Sequence, residues 1–315
     1  MGVAAVGDSR MHLTRMIAVG FAWAVSISTS ATALTFNITT APGASLSTAQ
    51  ASAFGTAAAA WSALLTDPIA VNLQVGFLTL GQNILGSTTL NFVVKDTSSV
   101  VAALGGDATS ASDAKAVASL LAQPPPNGTI LLTTAQAKAL GYSQTGIDAT
   151  IEFSSSYQFA TSRNSDGSTP QGFYDLIGVA EHEIGHALGF VSSFDLGGAV
   201  YTPTLLDEFR YTAQNARATS TGSAFYSLNN GAASIASFST GGVGQYQASH
   251  WLQGTGGLMD PAVAAGVSQN ITALDLQALD IIGYNLPEPG SIMIVLLGVA
   301  GAALVRRRPV LVSRF

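Results

Sequence analysis

The sequence predicts an α+β fold in which a twisted, mixed sheet with two helices precedes a mostly irregular C-terminal half. Three observations support this class. Segments that alternate apolar and polar residues fill the first half of the chain, a periodic helix lies beyond its middle, and a capped helix closes the body. Apolar residues make up 48% of the 315, which is enough for a large buried core.

The first half is predicted to supply the sheet and its helices. Alternating, β-branched segments indicate strands, and Ala-rich segments that stop before proline indicate helices. The predicted strands are 34–39, 69–80, 89–96, 130–133 and 148–157. The predicted helices are 45–65 and 113–122, with a small helix at 134–140. If the last of these strands is the sheet edge, an extended peptide could pair with it.

The second half is predicted to be irregular between two helices. The first helix is expected at 176–188, and an insertion at 191–247 is expected to contain one clear element, 205–211. A final helix at 272–282 begins with a Thr-x-x-Asp capping pattern and stops at Gly283.

The N-terminus has the order of a secretory signal peptide. Arg10 and Arg15 precede a short apolar run, 16–25, and small residues then lead to an Ala-Thr-Ala triplet that ends at Ala33. This order of basic region, apolar core and cleavage site predicts that residues 1–33 are removed on export. The alternative is a buried N-terminal helix, which the short run and the cleavage pattern disfavour.

The C-terminus carries a second predicted sorting signal, in residues 287–315. A Pro-Glu-Pro triplet begins at Pro287 and is followed by an apolar run at 292–305 and three arginines at 306–308. This order resembles the PEP-CTERM sorting tail of Gram-negative bacteria, which implies a transient transmembrane helix, recognition by an exosortase, and removal of the tail. The alternative is an ordinary C-terminal anchor. Both interpretations place the body in the cell envelope or outside the cell.

The composition of the predicted body, 34–286, excludes several classes of function. It carries sixteen acidic and six basic residues, so the basic surface that nucleic-acid binding requires is missing. The chain has no cysteine. Disulfides, cysteine nucleophiles and cysteine metal ligands are therefore excluded, and packing alone must stabilise the exported body.

The helix at 176–188 carries the motif HEIGH. Its two histidines, His182 and His186, stand four positions apart and therefore project to one side of a helix, where they can share a zinc ion. Glu183 borders that line and is the candidate general base for zinc-activated water. Asp175 is expected to cap the helix, and Gly189 to follow its last turn.

The third zinc ligand is predicted to be His250. The chain has four histidines, one of which leaves with the signal peptide, so three remain for a site that needs three protein ligands. Two alternatives stay open. His250 could be a structural histidine beside the tryptophan that follows it, and Asp195 could be the ligand instead. Asp195 and Asp280 could also orient an imidazole from behind.

Two motifs together resemble those of the metzincin zinc proteases. Residues 182–190 read HEIGHALGF, with Gly189 where metzincins turn the chain below the metal. Residues 258–261 read LMDP and look like the metzincin Met-turn, which would place Met259 under the site. Most metzincins take their third ligand three residues after that glycine, where this chain has Ser192.

The order of the motifs is similar to that of leishmanolysin-type metzincins. In these, an insertion separates HExxH from a third histidine in a His-Trp pair just before the Met-turn. Here 63 residues separate His186 from His250, which precedes a tryptophan. Leishmanolysins are rich in disulfides and this chain has no cysteine, so their loops and substrate preferences cannot be transferred. No tyrosine stands two residues after Met259, where some metzincins assist the oxyanion.

The resemblance implies a metzincin-like catalytic domain at 34–286, with halves at 34–189 and 190–286. The implied function is that of a secreted zinc endopeptidase acting on proteins or peptides. Two rivals remain: a surface or matrix protein that uses the fold without catalysis, and a zinc hydrolase of a non-peptide substrate.

Overall fold

The computed structural model describes residues 33–125, 128–197 and 201–287. The predicted signal peptide and sorting tail lie outside these residues, except for their inner ends at Ala33 and Pro287. Within the described part of the chain, no helix is both long enough and apolar enough to cross a membrane. The predicted mixture of helices and strands is confirmed.

Twelve strands and six helices are present in the described ranges. The strands are β1 (Thr35–Thr40), β2 (Ala70–Leu78), β3 (Gly86–Leu90), β4 (Phe92–Asp96), β5 (Thr129–Thr133), β6 (Ala149–Ser154), β7 (Phe159–Ala160), β8 (Tyr174–Asp175), β9 (Arg210–Ala213), β10 (Ala216–Arg217), β11 (Ala224–Tyr226) and β12 (Ala236–Phe238). The helices are α1 (Thr48–Leu64), α2 (Thr97–Asp107), α3 (Ala111–Ala122), α4 (Thr134–Ala139), α5 (Leu176–Ala187) and α6 (Ala273–Asp280).

The main sheet has the strand order β1-β2-β6-β3. The first three strands are parallel and β3 is antiparallel, so the predicted mixed sheet is confirmed. The condition that the strand at 148–157 is the sheet edge is not met, because β6 lies between β2 and β3 and cannot accept an added peptide strand. The physical reason is composition: β6 places Ala149, Ile151 and Phe153 in the core, whereas the polar strand β3 tolerates an edge position.

The predicted strand at 89–96 is in fact the end of β3 and the whole of β4, which belong to different sheets. Asn91 separates them: its N–H donates to the carbonyl of Asp148 and its carbonyl accepts from the N–H of Thr134. β4 then pairs with β5. Helix α2 was not predicted, because Val100, Val101 and a Gly-Gly pair disfavour helix locally, and burial of Val100 and Leu104 stabilises it.

Helix α1 connects the sheet to α5. Ser47 and Gln50 form a capping box at its start, which explains why this Ala-rich segment begins there. Phe54 packs edge-on against Phe153 of β6, with ring centroids 6.1 Å apart. The indole N–H of the buried Trp61 donates to the carbonyl of Glu181 at 2.9 Å. The two helices are therefore held together by packing and by a buried hydrogen bond.

The insertion at 191–247 contains more structure than the sequence predicts. A four-stranded antiparallel sheet of order β10-β9-β11-β12 lies there, and its strands of two to four residues are too short to show a period. The predicted element at 205–211 is a 3₁₀ turn, Leu206–Phe209, followed by β9. Phe238 of β12 stacks on Trp251, with ring centroids 4.9 Å apart. This contact packs the insertion against the core.

Helix α6 is predicted correctly and fixes the loop before it. Thr272 and Asp275 form the expected capping box. The carboxylate of Asp275, which is 1% exposed, also accepts the indole N–H of Trp251 at 2.9 Å and the N–H of Leu258 at 2.9 Å. One buried carboxylate therefore joins α6 to both segments that reach the site described next.

Candidate metal centre

Helix α5 presents two histidines and a glutamate from inside the protein. Ile184 and Leu188 of this segment are fully buried, so the helix is held by the core. Asp175 occupies the N-cap position but makes no capping hydrogen bond, contrary to the sequence prediction. Its carboxylate pairs instead with Arg163, at 2.6 Å. Gly189 follows the helix with φ of 116°, which a residue with a side chain rarely adopts.

The structure brings His182, His186 and His250 to one point. The three Nε2 atoms lie 3.1 Å apart for His182–His186, and 3.2 Å apart for each pair that includes His250. The insertion leaves α5 and returns so that residues 64 and 68 positions apart in the chain meet. Among the described residues, these three form the group of side chains that could hold a metal ion.

Backbone carbonyls orient all three imidazoles. Nδ1 of His182 lies 2.8 Å from the carbonyl oxygen of Leu258, and Nδ1 of His186 lies 2.7 Å from that of Phe190. Nδ1 of His250 lies 3.3 Å from the carbonyl oxygen of Gln247. A carbonyl can only accept a hydrogen bond, so each Nδ1 carries the proton and each Nε2 presents a lone pair to the centre.

Burial favours the neutral form of His186 and of His250. Desolvation, followed by repulsion from His182, lowers the pKa of His186 to about 3. Desolvation, followed by repulsion from the other two imidazoles, lowers the pKa of His250 well below its ordinary value. Neutral imidazole is the form that binds a metal, so this environment favours coordination over protonation.

The sequence alternatives for the third ligand are placed elsewhere. Asp195 accepts hydrogen bonds from the N–H groups of Ala248 and Ser249, at 2.8 and 2.7 Å, so it holds the chain that leads into His250. Ser192 donates its hydroxyl to Asp207 at 2.6 Å. Asp280 accepts from the hydroxyl of Ser110, at 2.7 Å, rather than from an imidazole.

Met259 packs against the helix that carries the histidines. The side chain is 1% exposed, and a Cβ atom placed on Gly185 would lie 2.6 Å from its sulfur. Gly185 is therefore the residue that allows this close approach. Met259 was predicted to lie at the site and Gly185 was not, although the position of Gly185 inside the HEIGH motif was a usable signal.

Glu183 is seated against the edge strand β3. Its Oε2 accepts the hydroxyl of Thr88 at 2.6 Å, and a Cβ atom on Gly86 would lie 2.6 Å from Oε1. Burial raises the pKa of Glu183, while the electrostatic interaction with His182 and the Thr88 hydrogen bond oppose that shift. Thr88 and Gly86 were not predicted as site residues, because they lie about a hundred residues away and nothing local marks them.

Comparison of the chain with protein-family models, with curated proteins and with solved structures finds no match. The function is therefore inferred from the arrangement of the site residues.

Proposed function

We propose that this protein is a secreted, zinc-dependent endopeptidase. The observation that carries the proposal is the convergence of three imidazole Nε2 atoms beside one buried glutamate. Three protein ligands plus an adjacent carboxylate are typical of catalytic zinc sites, whereas structural zinc sites usually have four protein ligands. The body is exported by the predicted signal peptide and is held transiently at the membrane by the predicted tail.

Zinc fits the donor set. Bonds of about 2.0–2.1 Å in tetrahedral geometry separate the ligating nitrogens by about 3.3 Å, close to the 3.1 and 3.2 Å found here. His182, His186 and His250 would hold the ion through Nε2. When bound, zinc supplies Lewis acidity that polarises a substrate carbonyl and acidifies water.

Glu183 supplies the proton transfers. Its Oε2 is held by Thr88, which leaves Oε1 to take a proton from the attacking water and to return it to the leaving amine. Burial raises the pKa of Glu183, which makes this carboxylate a stronger base than an exposed one. Thr88 orients the carboxylate and is a positioning residue.

The edge strand β3 is our proposed guide for a peptide substrate. It is the last strand of the main sheet, and two of its residues, Gly86 and Thr88, contact Glu183. An extended peptide that added to this edge would run past the carboxylate that performs the chemistry.

The arrangement also supports a metzincin-like classification. Gly189 turns the chain after the helix, Met259 packs beneath Gly185, and His250 arrives from beyond the insertion just before the LMDP segment. We propose a leishmanolysin-like order of these parts, without the disulfides of that group.

The deciding experiment compares the zinc-loaded exported protein with Glu183→Gln on casein and on a panel of ester substrates. The variant keeps zinc content and loses about 10²–10⁴-fold in peptide turnover, because it retains shape but cannot act as a base. Glu152→Gln is the matched control and retains turnover, because Glu152 is a half-buried residue of β6 outside the proposed site. A wild-type protein that binds zinc without cleaving casein is a matrix protein, and one that cleaves only esters is a hydrolase of another class.

A further inference from the structure

The third proposed ligand is held differently from the other two. His182 and His186 lie on α5, whereas His250 lies outside the helices and strands of the described chain. Its Nδ1 is 3.3 Å from the carbonyl oxygen of Gln247, compared with 2.8 and 2.7 Å for the corresponding contacts of the two helix histidines. The position of His250 therefore depends on the groups that hold the backbone around it.

The peptide group between Ala248 and Ser249 lies between two charged side chains. Its N–H donates to Oδ2 of Asp195 at 2.7 Å, and its carbonyl accepts from Nη2 of Arg210 at 2.6 Å. The N–H and the carbonyl of a trans peptide point in opposite directions, so the carboxylate and the guanidinium hold this peptide from opposite sides. Hydrogen bonds to charged groups are roughly twice as strong as those between neutral groups. Because Ser249 immediately precedes His250, both side chains restrain the approach to the third ligand.

Arg210 also holds the segment on the other side of His250. The same Nη2 atom donates to the carbonyl of Ser239 at 3.2 Å. The N–H of Ser239 donates to the carbonyl of His250 at 2.9 Å, and its hydroxyl donates to the carbonyl of Trp251 at 2.7 Å. One nitrogen of Arg210 therefore connects the backbone before His250 with the segment that bonds His250 itself.

Arg210 is buried without an opposite charge in contact. It is 2% exposed, and its guanidinium carbon lies 4.2 Å from the centre of the Phe238 ring. Among the described residues it forms no salt bridge, and its Nη1 is buried without a hydrogen-bond partner. Burying such a cation costs free energy, and apolar residues of similar size often stabilise a core at least as well. What this arginine supplies is therefore its pair of hydrogen bonds to the two carbonyls.

We infer that Arg210 is a positioning residue of the metal centre, which together with Asp195 holds His250 in place to meet the other two imidazoles. This inference rests on the proposed function, because it requires that the three histidines bind zinc. It also gives the insertion at 191–247 a role. Asp195 lies near the start of the insertion and Arg210 begins β9 in its middle, so the insertion folds back onto the backbone that carries the third ligand.

Arg210→Met is the informative substitution, because methionine keeps an apolar side chain against Phe238 and removes the donor to both carbonyls. Arg210→Lys keeps a cation that can reach one carbonyl, and it replaces the methionine variant if that variant does not fold. Arg217→Met is the matched control. Arg217 belongs to the same small sheet and its side chain is only 12% exposed, but it pairs with Glu208 and bonds the carbonyl of Gln123. Thermal unfolding measures the general loss of stability in each variant.

The first test is zinc binding by the metal-free full chain, measured by equilibrium dialysis. Removing an outer contact of a metal ligand lowers metal affinity about 10- to 100-fold, and Arg210 acts through the backbone, so Arg210→Met lowers zinc affinity about 10-fold. Arg210→Lys has a smaller effect, and Arg217→Met binds zinc as the wild type does. Equal affinity of Arg210→Met and the wild type, or an equal loss in Arg217→Met, overturns the inference.

The second test uses cobalt(II) in place of zinc, because the visible absorption of cobalt depends on the number and geometry of its ligands. Spectra are recorded for the full chain at saturating cobalt, and His250→Ala supplies the reference spectrum for loss of the third ligand. The spectrum of Arg210→Met shifts from that of the wild type toward this reference, a change that a general loss of stability does not produce. A spectrum that superimposes on the wild type overturns the inference.

Failure of the proposed function gives a different result in the same experiments. A wild type that binds neither ion, or a His250→Ala variant that binds zinc as tightly as the wild type, refutes the proposed metal centre and the inference with it. A wild type that needs His250 for zinc, and that Arg210→Met matches in affinity and in spectrum, refutes only the positioning role.

Discussion

The hydrogen bond from Thr88 to Glu183 predicts a specific change in the pH dependence of activity. The hydroxyl lies 2.6 Å from Oε2 and stabilises the ionised carboxylate, so it lowers the pKa of Glu183 against the opposing effect of burial. Thr88→Val keeps the shape of the side chain and removes the donor. The pKa of Glu183 then rises further.

The magnitude follows from the type of bond. A hydrogen bond to a charged group contributes about 1.5–3 kcal/mol, which corresponds to about 10- to 100-fold in the population of the ionised base. A general base acts only when ionised, so a higher pKa moves the acid limb of the kcat/KM profile to higher pH. At pH values below the acid limb, kcat/KM of the variant is therefore about 10- to 100-fold lower than that of the wild type. On the alkaline plateau the variant recovers most of its activity.

The assay is a pH–rate profile of kcat/KM for the zinc-loaded wild type, Thr88→Val and Thr88→Ser on one peptide. Thr88→Ser retains the hydroxyl and follows the wild-type profile. Zinc content is measured for each protein, since the substitution does not touch a proposed ligand. A Thr88→Val profile that superimposes on the wild type would refute the positioning role, and a loss that is equal at all pH values would indicate a structural defect instead.

Three further predictions concern the metal, stability and export. His250→Ala lowers zinc affinity, measured by equilibrium dialysis, at least about 100-fold. Asp195→Ala has a smaller effect, because it loosens only the segment that leads into His250. A larger loss of affinity in Asp195→Ala than in His250→Ala would refute His250 as the third ligand. Burial raises the pKa of Asp67 to about 7, so between about pH 4 and 7 the folded state holds a proton that the unfolded chain has released. The free energy of unfolding therefore falls as the pH rises through that window, and Asp67→Asn flattens this dependence in urea titrations; an unchanged slope would exclude Asp67 as its source. Intact-mass analysis of the exported protein gives a mass close to that of residues 34–286, and a species that retains the arginine cluster would contradict removal of the tail.

The local elements of the fold could be predicted where the sequence carries its own signal. Capping boxes at Ser47 and Thr272 mark the starts of α1 and α6, and the predicted helices agree with the structure. Asp175 shows the limit of such reasoning, because its carboxylate pairs with Arg163 rather than with the first turn of the helix. When a side chain has two possible hydrogen-bonding partners, the sequence does not determine which one it contacts. The tertiary structure does, because it fixes the positions of both partners.

The sequence by itself determined the pair His182 and His186, because a spacing of four on a helix fixes their relative direction before any tertiary contact forms. It also identified His250, by counting the histidines of the predicted body. Only the tertiary structure decided that this third imidazole meets the other two at 3.2 Å and that Asp195 holds the chain leading into it. The same holds for the seat of Glu183 on the edge strand β3 and for the hydrogen bond of Arg210 to the carbonyl of Ala248. Local periodicity records the direction of side chains within one helix or strand, whereas contacts between residues far apart in the chain depend on how the whole core packs.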